Sequence, residues 1–320
     1  MTQLCQNLNS KPWFSIPFDA KADRPTDYGD VLWCDECQMG FLATLPRPDE
    51  IPAHYVLPNY YTHGDRKRSD RQGTLGEKIV RRLAWQFDAA PRVLHEELAD
   101  LLPDDASVLD IGCGSGFLLK KFRNGRRRLV GVEPDAQARG HAAKDGIEAY
   151  DGSAENLPAE LASDHFDFVC MTHVLEHCLD PLAALKNAIS MTKPSGAFYC
   201  EVPNAGSTYF QRYAAISEQL DVPRHLYFFS EKSLIALADA AGIEITRWRF
   251  EGYTRHYSWD WTDVENGIHD MYRRRGLAAP CPRRHVPASL AMLLSTVAAR
   301  PSRKYDSIGF FGRPKSHAGS

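Results

Sequence analysis

The chain predicts an α/β domain whose mainly parallel sheet carries helices on both faces. Three observations lead there. Between residues 107 and 202, short β-rich runs alternate with helical ones. Those runs are strongly apolar, as strands covered on both sides are. One of them, Val108-Leu109-Asp110-Ile111, passes straight into the turn Gly112-Cys113-Gly114-Ser115-Gly116 and then a helical run.

Taken in order, residues 1–62 are rich in proline and aromatics without a long periodic segment, and read as an arm or small module. Residues 63–103 read as a helical lid. Apolar side chains recur at helical spacing within it, as Ile79, Leu83 and Phe87, then Val93, Leu94, Leu98 and Leu101. The core runs from 104 to 250. Its strands are predicted at Ser107–Ile111, Leu129–Glu133, Ile147–Tyr150, Phe166–Met171 and Ala197–Val202. Helices are predicted at Ser115–Arg123, Asp135–Lys144 and Pro181–Met191, the last marked by an acceptor cap at Asp180 and proline in its first turn. Residues 205–230 form a substrate loop. Ser230 caps a helix that Gly242 ends, and Ile243–Phe250 follows as a strand. Residues 251–320 hold an arginine- and tryptophan-rich insertion, a last strand at Ser307–Arg313 and a disordered tail.

Composition narrows the function. A length of 320 residues with 43% hydrophobic residues suffices for a large core, and a net charge of −3 provides no basic field for nucleic acid. The N-terminus lacks the pattern of a signal peptide, and the longest apolar stretch, Ser289 to Ala299, is too short to span a bilayer. Among the eight cysteines, Cys113 falls in the glycine turn, and Cys170 and Cys200 fall in apolar strands. That placement predicts buried thiols of a cytoplasmic protein rather than a disulfide framework.

The glycine turn predicts an adenosine-containing cofactor. Glycines let a ligand approach the backbone at a helix N-terminus, and Glu133, twenty-one residues after Gly112, provides a carboxylate for both ribose hydroxyls. A dinucleotide site wants a third glycine at position 117, where this chain has Phe117. Further on come Gly152-Ser153-Ala154-Glu155-Asn156-Leu157-Pro158, Phe166-Asp167-Phe168-Val169, His173-Val174-Leu175-Glu176-His177 and Lys193-Pro194-Ser195-Gly196. That order resembles the class I S-adenosylmethionine-dependent methyltransferases over roughly residues 105–250, on a Rossmann-like sheet. The resemblance implies that Asp110, Gly112, Cys113 and Gly114 face the methionine part of the cofactor, and that Glu133 holds the ribose with Pro134 beside the adenine. Ser153 and Ala154 would flank the adenine, with Ser153 standing where similar enzymes carry aspartate. Tyr61 would close over the cofactor and Tyr60 over the substrate.

Three more segments resemble the bacterial deoxysugar C-methyltransferases: Glu201-Val202-Pro203-Asn204, the run Asp221 to Ser230, and Trp33-Cys34-x-x-Cys37 with its flanking Gly40-Phe41 and Tyr60-Tyr61. The Leu175-Glu176-His177 stretch is also similar to quinone O-methyltransferases, where matching acidic and histidine positions are associated with a divalent cation; here His173 replaces an expected glutamate. The expected activity is methyl transfer to a hydroxyl or carbon of a small molecule, with a macromolecular RNA or protein acceptor as the alternative. An oxygen or carbon acceptor sheds a proton, a task for histidine. His225 and His173 are the candidates, each with a structural alternative: helix-entry packing for His225 and a wall of the cofactor pocket for His173. Arg224 is the candidate for an anionic group on the substrate. Cys34 and Cys37 form one knuckle and Cys5 leaves the other incomplete, which reads as a degenerate zinc module in which zinc is not the favoured expectation. Calorimetric titration of the protein is expected to show binding of S-adenosylhomocysteine and none of NAD; the reverse would discard the cofactor assignment.

Overall fold

A computed structural model describes residues 10–57, 71–89 and 94–315. Its central sheet has seven strands: β1 (Ser107–Ile111), β2 (Arg128–Val132), β3 (Glu148–Tyr150), β4 (Phe166–Thr172), β5 (Thr192–Pro203), β6 (Ile243–Glu251) and β7 (Ser307–Pro314). They lie in the order β6-β7-β5-β4-β1-β2-β3. The pairs β1–β2, β2–β3, β1–β4 and β4–β5 are parallel, and β7 runs antiparallel between β5 and β6. Strand β5 begins five residues before its expected start, with a break in register between Thr192 and Ala197.

Alternation along the strands explains the two-sided cover. Leu109, Ile111, Val169 and Met171 enter one apolar core, while Val108, Phe168 and Cys170 enter another with Leu119 and Phe122. Local chemistry starts the helices where expected. Asp180 accepts from the backbone N–H groups of Leu182 and Ala183 and opens Pro181–Ser190. Ser230 closes a capping box with Ser233 at the head of Glu231–Ala240. The helical region after residue 70 is two helices, Leu75–Gln86 and Leu94–Leu101. The insertion holds two more, Trp259–Arg274 and Val286–Thr296. Among the described residues no helix is long and apolar enough to cross a membrane.

The N-terminal region is more ordered than an arm. Ser10–Ser15, Asp30–Cys34 and Met39–Leu42 form a small antiparallel sheet, and Tyr227–Phe228 of the 205–230 segment adds its fourth strand. Trp13 packs on Trp33 with ring centroids 4.7 Å apart, and any side chain at Gly40 would collide with Trp13 and Phe228. Cys37 donates its backbone N–H to the Cys34 sulfur at 3.3 Å across the hairpin turn. Cys5 lies outside the described residues.

Arg224 fastens this module to the core. Its guanidinium reaches both carboxylate oxygens of Asp19 at 2.6 and 2.8 Å, Asp221 at 2.8 Å and the His54 carbonyl at 2.9 Å. Lys21 adds a contact to Asp221 at 2.7 Å. The Arg224 side chain is fully buried, so the expectation that it grips a substrate anion is corrected: its donors are spent inside the protein. The physical reason is that two buried carboxylates need its fork of donors, with Lys21 supplying the second positive charge. Arg224→Ala is expected to lower unfolding free energy by about 3–5 kcal/mol in denaturant titration, because it leaves buried charge uncompensated. A substrate clamp would instead raise KM and leave stability alone.

Candidate active site

The chain order fixes where a ligand can sit. After β1 the chain moves to β2 and β3 on one side, then returns to β4 and β5 on the other. The loops leaving β1 and β4 therefore part, and a crevice opens beyond Ile111 and Thr172.

Gly112, Gly114 and Gly116 all adopt positive φ, at 77°, 53° and 75°. Their reasons differ. A Cβ on Gly112 would lie 2.3 Å from Val174, and one on Gly116 would lie 2.3 Å from Ile147, so packing excludes side chains at both. A Cβ on Gly114 would meet nothing within 4 Å, so this glycine borders the open cradle. Cys113 turns inward, and Gly131 of β2 is bare because a Cβ there would lie 2.4 Å from the Cys113 sulfur. Burial pushes the Cys113 thiol well up. Only its backbone is left for a cofactor.

Glu133 is buried at the end of β2 and accepts backbone N–H groups from Gly114 and Asp135, each at 2.9 Å. Burial raises its pKa, with those two donors opposing the rise. The carboxylate thus clasps the glycine loop and retains acceptor capacity for hydroxyls. Pro134 is exposed beside it, and its carbonyl accepts from Arg139 at 2.7 Å. Ser153 is half-buried, its hydroxyl accepting the Asn156 N–H at 3.1 Å, and Ala154 is buried behind it. Asp110 is buried at the end of β1 and receives the Cys170 thiol at 3.4 Å; burial pushes its pKa up to about 7. The open space at Gly114, the acidic pair Asp110 and Glu133, and the turn at Ser153 fit S-adenosylmethionine by donor and acceptor chemistry. Tyr60 and Tyr61 lie outside the described residues.

On the β4 side, His173 follows the strand with φ 55°, its side chain 39% exposed. It stands between two buried carboxylates, Glu176 at 3.3 Å from Nδ1 and Glu201 at 3.6 Å from Nε2. Burial disfavours a charged ring, but both carboxylates outweigh it and push the His173 pKa up to about 10. Glu201 in turn accepts the Tyr199 hydroxyl, and its pKa is held down at about 2, with burial opposed chiefly by His173. Glu251, beside Glu201, is raised to about 7 by burial and by that neighbouring charge. Sequence reasoning had given Glu201 no role. Its signal was a glutamate ending an otherwise apolar strand.

His225 stands on the inner side of the same Glu176 carboxylate, its Nε2 3.9 Å from Glu176 Oε1. It is buried, its Nδ1 lies 2.8 Å from the Gln219 carbonyl, and its ring meets His177 edge-on at 4.5 Å. Burial and the neighbouring His177 lower its pKa to about 3, so it is a neutral, packed histidine. Burial and the Gln219 contact match the packing alternative for His225. His177 contacts the Tyr55 hydroxyl and the Arg224 carbonyl, each at 3.0 Å. Glu176, His177 and His225 are the one group among the described residues whose ligand-type atoms gather within 4.8 Å, and Glu176 Oε2 is buried there without a hydrogen bond. One carboxylate and two imidazoles form a donor set suited to a divalent cation.

A family model described as a methyltransferase domain matches residues 82–247. The chain belongs to the S-adenosylmethionine-dependent methyltransferase family. Among curated relatives, the ubiquinone biosynthesis O-methyltransferase of Aeromonas salmonicida is 28% identical over 147 residues, covering 42% of this chain and 62% of that protein. The enzyme of the same description from Cereibacter sphaeroides is 33% identical over 133 residues, covering 39% of this chain and 50% of that protein. The chain thus spans about half to two thirds of these two relatives. A solved methyltransferase from Thermotoga maritima overlays with a TM-score of 0.45 at 20% identity, covering 74% of this chain and 92% of that one, a likeness too loose to speak to function.

Glu133→Ala is expected to weaken S-adenosylhomocysteine binding by about 2–3 kcal/mol in calorimetry, since charge-assisted acceptors for the ribose vanish and Gly114 loses its clasp. Unchanged affinity would place the ribose elsewhere.

Proposed function

We propose that the protein methylates a hydroxyl oxygen of a small, phenol-like acceptor, with His173 acting as a fixed cation beside the acceptor and not as a base. One observation carries this reading: a part-exposed histidine at the crevice, bracketed by Glu176 and Glu201. S-adenosylmethionine, when bound, supplies an electrophilic sulfonium methyl. Asp110, Gly114 and Glu133 would hold it, and the buried walls behind them exclude water from the crevice.

An imidazolium cannot take a proton at neutral pH. It can stabilise negative charge growing on an acceptor oxygen. That device suits a phenol, whose pKa of about 10 lets the proton leave to water, better than an aliphatic sugar hydroxyl or a carbon acid, which call for a base. The O-methyltransferase relatives support the same choice. The acidic net charge of −3 supports a small acceptor over nucleic acid. We place the protein in the cytoplasm, in keeping with buried free thiols at Cys113, Cys170, Cys178 and Cys200.

The test is turnover on small phenols and on sugar nucleotides, each across pH. Turnover on a phenol is expected to need the protonated ring, so His173 supports it below its pKa and the support is lost as pH rises through about 10. His173→Gln is expected to lower kcat about 10²-fold, near the loss of one oxyanion donor, with little change in cofactor affinity. His225→Ala is expected to lower thermal stability and spare turnover per folded molecule. An acidic limb that vanishes in His173→Gln would make the residue a base and sink the reading, as would activity confined to sugar nucleotides.

A further inference from the structure

Helices Leu75–Gln86 and Val286–Thr296 lie side by side and run in the same direction. At their starts, a Cβ on Gly76 would touch Val286 at 3.2 Å. At their ends, Lys304 Nζ reaches the carbonyls of Phe87 at 2.5 Å and Val297 at 3.5 Å. The inner rows, Val80 and Ala84 on one helix and Ala288, Met292 and Leu293 on the other, are buried.

The outer rows are apolar as well. Leu75, Ile79, Trp85, Phe87, Leu290 and Leu294 are six of the ten large apolar side chains exposed among the described residues. Scattered singly they would need no explanation, but Leu75 and Ile79 on the first helix and Leu290 and Leu294 on the second are i,i+4 pairs on adjacent helices. Trp85 stands about 120° round from Ile79, beside Lys78, and Phe87 follows the helix. Trp85 is 72% exposed and Leu294 70%. Val286–Thr296 carries no charged residue at all. The charges around this face are mostly cationic. Lys78, Arg81 and Arg82 are exposed on the first helix and Arg300 follows the second, while the first helix's single acid, Glu77, is paired with Arg71 at 3.0 Å.

We propose that this two-helix face docks the protein on an anionic lipid surface. Leucine, isoleucine and tryptophan would enter the headgroup boundary, while the lysine and arginine stems extend to lipid phosphates. Charge decides between lipid and a second copy of the chain. Two such faces brought together would oppose cation to cation, whereas an anionic bilayer meets them with opposite charge. Neither helix can span a bilayer, so the attachment is peripheral.

The test is flotation of the full chain with vesicles of phosphatidylcholine alone and of phosphatidylcholine mixed with phosphatidylglycerol. Binding is expected only to the mixed vesicles, and it is expected to weaken as salt is added. The double variant Ile79→Glu with Leu294→Glu is expected to bind at least about tenfold less, from lost insertion and added repulsion. Its unfolding midpoint should match the parent, since both side chains are exposed. Absence of binding to the mixed vesicles, or equal binding by the variant, would overturn the proposal. So would a parent dimer in sedimentation that the variant turns to monomer, which would assign the face to a second copy.

Discussion

The acceptor side of this enzyme rests on one buried cation. Arg224 joins Asp19 of the N-terminal module to Asp221 of the 205–230 segment, and in doing so fixes both against the core. Tyr227–Phe228 then completes the module's sheet, and His225, next in the chain, is drawn inward toward Gln219 and His177. A planar fork with five donors can hydrogen-bond two buried carboxylates and a carbonyl together, and Lys21 supplies the second positive charge. Packing of the module, closure of the loop and burial of His225 are consequences of that single arrangement.

The cofactor side obeys a different constraint, the reversal of strand order at β1, where the chain having added β2 and β3 on one side returns to add β4 on the other. It opens a crevice whose floor is the glycine loop, and Glu133 holds that loop by its Gly114 N–H. Glycine is required at Gly112 and Gly116 by the neighbours Val174 and Ile147, and only Gly114 borders open space. The motif is therefore one glycine beside open space set between two packing glycines.

Charge separates the histidines. His173 gains two carboxylates where the strand ends and becomes a cation, while His225 gains a carbonyl, an aromatic neighbour and burial and stays neutral. Both began as equivalent candidates for proton transfer. Their protonation depends on residues distant in sequence, Glu201 for His173 and His177 for His225.

Periodicity and caps were enough to locate the strands, the helices and the glycine loop, because apolar alternation and N-cap chemistry are local properties. Asp180, Ser230 and the run Val108 to Gly116 show this, and Glu133 was legible because its spacing from Gly112 follows from the length of one βαβ unit. The roles of Arg224 and His225 were not legible. Asp19 is 205 residues from Arg224, and nothing in either neighbourhood announces the pair. Sequence by itself determined the family, the sheet and the position of the glycine turn, all built from short-range patterns. Tertiary structure alone decided which polar side chains face the crevice and which are consumed in holding the protein together, because burial and charge pairing depend on distant segments meeting.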